Sequence, residues 1–264
     1  MNRKTANNNL DGNSMEIGII GFGRFGKLMA RYLAEDCKVY VYNRSDKSKE
    51  IISVNAIPST FEEACSKDIV IPSVPISEFA MTLKKIKSSI KKNALLIDVC
   101  SVKEYPATLM EKLLPKNVQI LATHPMFGPD SAADSLNGRK LVLCKVRIKE
   151  ALYKKIKDYA KRKGLFIVET TPQNHDKEIA KSLVLTHFIG RGLIDFGATE
   201  LDIDTQGYRK MMEVMNYAKN DTWQLFEDMN RYNKYSKKIR KDFLSALSAI
   251  SKVIFSSSLK EDTP

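Results

Sequence analysis

A chain of 264 residues that is 43% hydrophobic and 28% charged carries enough apolar material for one large domain or two smaller ones with a buried core. No apolar run reaches the roughly 18 residues of a membrane span, and the start MNRKTANNNLDGNS lacks an apolar signal-peptide core; residues 1–14 are expected to be a disordered leader and the protein cytoplasmic. The formal charge of +12 is carried by lysines spread over many expected helices, which favours solvated faces over a nucleic-acid surface, with a smaller role in steering an anionic cofactor and substrate.

Taken in order, residues 16–20 form an apolar strand that runs into GFGRFG (Gly21, Phe22, Gly23, Arg24, Phe25, Gly26), followed by a helical pattern. Gly21 suits the tight turn, Gly23 a close approach of backbone to a pyrophosphate, and Gly26 tight packing of helix on strand. The diphosphate would sit at the helix N-terminus, held by free N–H groups and the helix dipole. A second strand, 38–42, ends at Asn43, where a cofactor with a free ribose hydroxyl is usually met by Asp or Glu. Asn43, Arg44 and Ser45 suit a 2′-phosphate instead, so the expected cofactor is NADP.

A third strand, 68–74, ends in Ser73, Val74 and Pro75, which would lie along the ribose and nicotinamide side, since ligands bind beyond the carboxyl ends of parallel strands. A helix over 77–89, a strand over 94–99, a helix to 114, and strands over 140–146 and 164–170 flanking a basic helix complete the first region. This alternation predicts a Rossmann-type, doubly wound, mostly parallel α/β sheet over 15–171. Beyond Thr171-Pro172 only helices can be drawn, at 173–199, 207–219, 221–232 and 235–255, with a tail over 257–264. Their apolar stripes (Leu183, Ile194; Leu244, Leu247, Ile250, Val253, Ile254) predict a helical substrate and dimerisation domain over 172–256, and hence a homodimer.

The stretch ATHPMFGPDS, 122–131, places His124 at the end of an apolar run and locks it before the turn Gly128-Pro129. A rigid strand end and an imidazole that exchanges protons near neutral pH suit a catalytic base. Four scattered cysteines (Cys37, Cys65, Cys100, Cys144), with no CxxC pair and no His/Cys cluster, give no expectation of a metal.

Together GFGRFG with downstream NRSD, DVCSVKEYP, THPMFGPDS, NHDKEIAKSLVLTHFIGR and IDTQGYRKMMEV resemble the prephenate/arogenate dehydrogenase family, in particular its plant-type arogenate branch, over about residues 15–236. The resemblance implies NADP-dependent oxidative decarboxylation of arogenate to tyrosine, or of prephenate to 4-hydroxyphenylpyruvate. On it, His124 accepts the ring-hydroxyl proton while the carbon bearing that hydroxyl gives up hydride, and Ser101 holds the histidine or the hydroxyl in line. His187, Asp204, Gln206 and Tyr208 are the implied substrate contacts, with packing as the alternative for His187, and Ser131 is either a substrate hydrogen-bond donor or a turn cap. An acid at Asp204, before TQGY, resembles the arogenate-using form, because a carboxylate pairs with the ammonium of arogenate and not with the ketone of prephenate.

Lys103 and Glu104 are expected to be an exposed helix-start pair, and His175 with Asp176 a helix-start interaction. The sequence also departs from the family: Asn216 aligns with an arginine that binds the ring carboxylate, leaving Arg191, Arg209 and Lys210 as candidate cations, and Leu183 replaces a plant-type glutamine. Two rival readings are an NADP-dependent reductase of the β-hydroxyacid or imine class, and a non-catalytic NADP-binding protein with a basic C-terminal helix.

Overall fold

The computed structural model describes residues 15–261, with side chains to Phe255; the leader expected at residues 1–14 lies outside the described residues. The chain divides into two compact units, Met1–Gln173 and Asn174–Pro264.

The first unit is an eight-stranded sheet of order β3-β2-β1-β4-β5-β6-β7-β8. Its elements are β1 (Glu16–Ile20), α1 (Arg24–Leu33), β2 (Lys38–Tyr42), α2 (Ser48–Ser53), β3 (Ile57–Pro58), α3 (Phe61–Cys65), β4 (Ile69–Pro72), α4 (Ile76–Ser89), β5 (Leu95–Asp98), α5 (Glu104–Leu113), β6 (Gln119–Pro125), β7 (Lys140–Arg147), α6 (Glu150–Arg162) and β8 (Phe166–Glu169). Strands β4 and β5 are buried along their whole length, as expected of parallel strands covered on both faces. Every pairing is parallel except β6 with β7. No helix lies between those two, and a parallel return needs a long crossover, so the chain comes back antiparallel.

Three short elements, α2, β3 and α3, fill the stretch 48–65 that the periodicity left blank. The cue for α3 is Thr60, whose hydroxyl accepts from the Glu63 N–H at 3.1 Å, in the Thr-x-x-Glu spacing of a helix start. Strand β3 has two residues and places Pro58 at the sheet edge, where a missing N–H is tolerated. The tight packing of α3 on β1 requires Gly18, since a Cβ there would come within 1.8 Å of the Ala64 carbonyl oxygen.

The second unit is helical among the described residues: α7 (Pro172–Ile179), a π-helical turn (Ala180–Val184), α8 (Leu185–Phe196), α9 (Gln206–Asn220), α10 (Trp223–Tyr232) and α11 (Ser236–Glu261). α7, the π turn and α8 follow one another without a break. The buried stripe runs through Ala180, Val184, His187 and Gly190, so Leu183 stands beside that stripe rather than on it. Gly190 lets α8 approach α9: a Cβ would meet the Ala218 Cβ at 2.6 Å and the Val214 carbonyl oxygen at 2.8 Å. Helix α11 runs to Glu261, past the end its apolar stripe predicted, because Ser and Lys residues beyond the stripe do not interrupt a helix. No helix among the described residues is long and apolar enough to cross a membrane.

Candidate functional site

The carboxyl ends of β1, β4, β5 and β6 stand side by side on one rim of the sheet and carry the glycine-rich turn, Ser73 to Pro75, Ser101 and His124, respectively. Gly21 has φ +104°, and a Cβ there would meet the Ser73 carbonyl oxygen at 2.3 Å. A Cβ on Gly26 would meet the Gly21 carbonyl oxygen at the same distance. These two glycines are therefore fixed by packing. Gly23 differs, because nothing lies within 4 Å of where its Cβ would be, so the turn stays open there. The N-terminus of α1 has no side-chain cap and no acid in its first turn, which leaves its N–H groups and positive dipole end for an anion. An open cradle at an uncapped helix start fits the diphosphate of a dinucleotide.

Around this turn, Phe22 has its ring in the core, leaving only its backbone for binding, and its N–H donates to Asn43 Oδ1 at 2.9 Å. Asn43 Nδ2 donates to the Ser45 carbonyl and hydroxyl oxygens, both at 3.0 Å. Asn43 thus ties the end of β2 to the turn, while Arg44 is exposed with no ion-pair partner among the described residues. Lys47, which no motif marks, donates to the Phe22 carbonyl at 3.4 Å. Arg24 pairs with Asp130 at 2.5 Å, and Phe25 packs on Phe127 with ring centroids 6.4 Å apart, so the loop after β6 is clasped to the start of α1.

His124 is buried near the end of β6, opposite Val142 on β7. Ser101 follows the end of β5, the strand that pairs with β6, and its Oγ is buried with no hydrogen-bond partner among the described residues. A buried hydroxyl with no partner is costly unless something supplies one. Ser131 Oγ accepts from the Gly128 N–H at 3.0 Å, so this hydroxyl closes its own turn.

Lys103 departs from expectation. It is not an exposed helix-start residue: its side chain is wholly buried against Asp98, and Nζ also donates to the Thr123 carbonyl. Burial pushes the Asp98 carboxyl above its ordinary pKa, against the opposing pull of Lys103 and the Cys100 N–H. No periodicity announces such a pair, because Lys103 sits in a loop between strand and helix.

In the helical unit, His187 is buried, with Nε2 3.5 Å from Asp221 Oδ2. Burial holds its pKa below the ordinary value, with Arg191 adding to the effect and Asp221 opposing it. Arg191 donates to the Asp221 carbonyl at 2.5 Å and lies over the rings of Trp223 and Phe226. Asp204 accepts a two-pronged ion pair from Arg209, at 3.0 and 2.7 Å. Tyr208 OH donates to the Thr199 carbonyl at 2.7 Å, and Gln206 is exposed at the start of α9. His175 and Asp176 lie near the start of α7 with Nδ1 2.8 Å from Oδ1, the expected helix-start interaction, and both side chains are buried.

The family model described as "Prephenate dehydrogenase, nucleotide-binding domain" matches residues 29–168, more than half of the chain. The chain belongs to the prephenate/arogenate dehydrogenase family. A second model, "TYRAAT1-like, C-terminal domain", matches residues 193–263. Arogenate dehydrogenase 1, chloroplastic, from Arabidopsis thaliana is 31% identical over 235 residues, covering 84% of this chain and 36% of the relative. Arogenate dehydrogenase 2, chloroplastic, from the same plant is 31% identical over 233 residues, covering 83% and 64%. The chain therefore spans less than two thirds of either relative. Among solved structures, prephenate dehydrogenase from A. aeolicus in complex with hydroxyphenyl propionate and NAD+ superposes with a TM-score of 0.76 at 21% identity, covering 95% of this chain and 94% of that one. Synechocystis arogenate dehydrogenase gives 0.70 at 21%, with 94% of each chain covered. At those identities the likeness concerns the fold, a Rossmann-type sheet followed by a helical region.

Proposed function

We propose that this protein is an NADP-dependent arogenate dehydrogenase, converting arogenate to tyrosine with loss of carbon dioxide. The observation that carries the reading is the adjacency of two strand ends, one bearing the buried His124 and the other the partnerless hydroxyl of Ser101. The names of the plant relatives support the substrate class.

His124 takes the proton of the ring hydroxyl as the carbon bearing it loses hydride. Ser101 supplies a hydrogen bond that holds hydroxyl and imidazole in line. The ring then expels its carboxylate as carbon dioxide and becomes aromatic, which draws the reaction forward. A bound nicotinamide supplies the hydride acceptor. Gly21, Gly23, Gly26 and the first turn of α1 would hold its diphosphate, and Ser73, Val74 and Pro75 would flank its ribose and nicotinamide side. Arg44 and Ser45 would meet a 2′-phosphate, the reading supported by an unpaired guanidinium and by the absence of an acid at Asn43. The proposed dimer rests on the exposed apolar stripe of α11, and the cytoplasmic location on composition.

Asp204 is the proposed partner of the substrate ammonium, and Ser131, His187, Gln206 and Tyr208 are the other residues proposed to meet substrate. A second reading, prephenate as substrate, is favoured by one observation: Arg209 already occupies the Asp204 carboxylate. A steady-state assay crossing arogenate and prephenate with NADP and NAD tests both. A higher kcat/KM for arogenate with NADP, moving toward prephenate in Asp204→Asn, is the expected result. A preference unchanged by that substitution removes the role of Asp204, and turnover of neither substrate removes the activity.

A further inference from the structure

The buried ion pair of Asp98 and Lys103 is not needed to explain cofactor binding or proton transfer, yet its hydrogen bonds converge on the neighbours of both proposed catalytic residues. Thr123, next to His124, is held at three atoms. Its N–H donates to Asp98 Oδ2 at 3.3 Å, its hydroxyl donates to the Asp98 carbonyl at 2.7 Å, and its carbonyl accepts from Lys103 Nζ. Cys100, next to Ser101, donates its N–H to Asp98 Oδ1 at 2.9 Å. The same oxygen accepts from Lys103 Nζ.

An ammonium group suits this place because it can donate in several directions from one atom, here to a carboxylate on β5 and a carbonyl on β6. A shorter or apolar side chain would leave the Thr123 carbonyl buried without its partner. Ion pairs removed from water gain little net stability, so one retained with both side chains wholly buried invites a reason other than stability.

We propose that Lys103 and Asp98 are positioning residues whose buried pair fixes the backbone beside His124 and Ser101, and so aims imidazole and hydroxyl at a common point. This rests on the proposed dehydrogenase reading. Neither side chain touches substrate; each acts through Thr123 or Cys100. Because a small misplacement of reacting groups can cost about 100-fold in rate, the pair is expected to govern kcat far more than KM.

The test uses the full chain in three forms: parent, the double variant Asp98→Asn/Lys103→Met, and Lys103→Arg. The double variant removes both charges at once, so neither is left buried alone. The chain has three histidines, so ring proton signals of His124, His175 and His187 can be assigned by single replacements. In the folded double variant the His124 ring signals are expected to move while those of the other two stay, kcat to fall about 10- to 100-fold, and the affinity for NADP to change less than about 3-fold. A purely structural role would instead lower the melting temperature and leave His124 signals and kcat as in the parent, which overturns the proposal. Should the double variant not fold, Lys103→Arg decides, since its planar fork keeps the charge but cannot copy the ammonium geometry. Displaced His124 signals with lowered kcat uphold the proposal, and unmoved signals with parental kcat reject it. If the parent turns over neither arogenate nor prephenate, the activity reading fails, and the ring signals alone still decide whether the pair positions His124.

Discussion

The two units treat their polar groups differently. In the sheet unit, charged and polar side chains near the rim are bound across neighbouring strand ends, as Asp98, Lys103 and Thr123 are, and the buried partnerless atoms among the described residues include the hydroxyls of Ser59 and Ser101. In the helical unit a ring nitrogen of His187, the Nε of Arg191 and the hydroxyl of Tyr235 are buried without partners among the described residues. That unit also leaves a stripe of apolar side chains on α11 (Leu244, Leu247, Ile250, Val253, Ile254) open to solvent. A ladder of strands fixes where each loop begins, so a motif at a strand end implies a place in space. A helix offers faces rather than ends, and its residues take their meaning from whatever covers them.

The largest effect expected from this contrast is at the rim. His124→Asn should lower kcat by about 10² to 10⁴, the range typical of general acid–base help, with NADP affinity retained. Single-turnover hydride transfer and equilibrium cofactor titration measure the two separately. Near-parental hydride transfer would remove the imidazole from the chemistry and leave the rim as a cofactor platform only.

A smaller effect separates packing from binding among the glycines. Gly18→Ala drives a methyl into the Ala64 carbonyl and should cost about 1–3 kcal/mol or more, read as a lower denaturant midpoint. Gly23→Ala meets nothing in the protein, so its stability should stay within about 0.5 kcal/mol of the parent while cofactor affinity falls. Equal cofactor affinity in Gly23→Ala would show that no ligand backbone passes over that turn.

This contrast also explains how much could be read in advance. The strands at 16–20 and 38–42 have the expected bounds, because each is a short apolar run closed by turn residues, Gly21 and Asn43. The places of the glycine-rich turn and of His124 at strand ends were legible for the same reason, whereas Ser101 was singled out by the family resemblance. The elements over 48–65 were not, being too short for periodicity to register, although Thr60 and Glu63 held the cue. Lys103 was misjudged because a lysine at a helix start is ordinarily solvated, and only the return of β6 alongside β5 gives its ammonium two buried acceptors. In the helical unit the buried stripe takes Val184 rather than Leu183, and since both lie one turn before His187 the sequence pattern does not choose between them. Asp204 was recognisable as an acid before TQGY, but its capture by Arg209 depends on the chain turning into α9.

The stripe on α11 gives the next test. If a second copy covers it, Leu247→Glu with Ile250→Lys should convert a dimer to a monomer in light scattering while leaving the helical content unchanged, since both side chains are exposed within the single chain. A parent that is monomeric at every concentration tested would remove the homodimer and leave the stripe for another partner.

The smallest effect concerns His187. Its pKa in the fold is held below the ordinary 6.5, first by burial and then by Arg191, with Asp221 pulling the other way. Below pH 6.5 the unfolded chain therefore binds a proton that the folded chain resists, so stability must fall as the pH drops from 6.5 toward the folded value and level off beneath it. The slope from one such group cannot exceed about 1.4 kcal/mol per pH unit. His187→Gln should flatten the loss between pH 7.5 and 5.5 relative to the parent, measured from urea midpoints; other groups titrate in both proteins, so the difference isolates this one. Parallel pH profiles would mean that the imidazole is already solvated enough to take the proton in place, and the helical unit would then be a looser structure around His187 than the sheet unit is around His124.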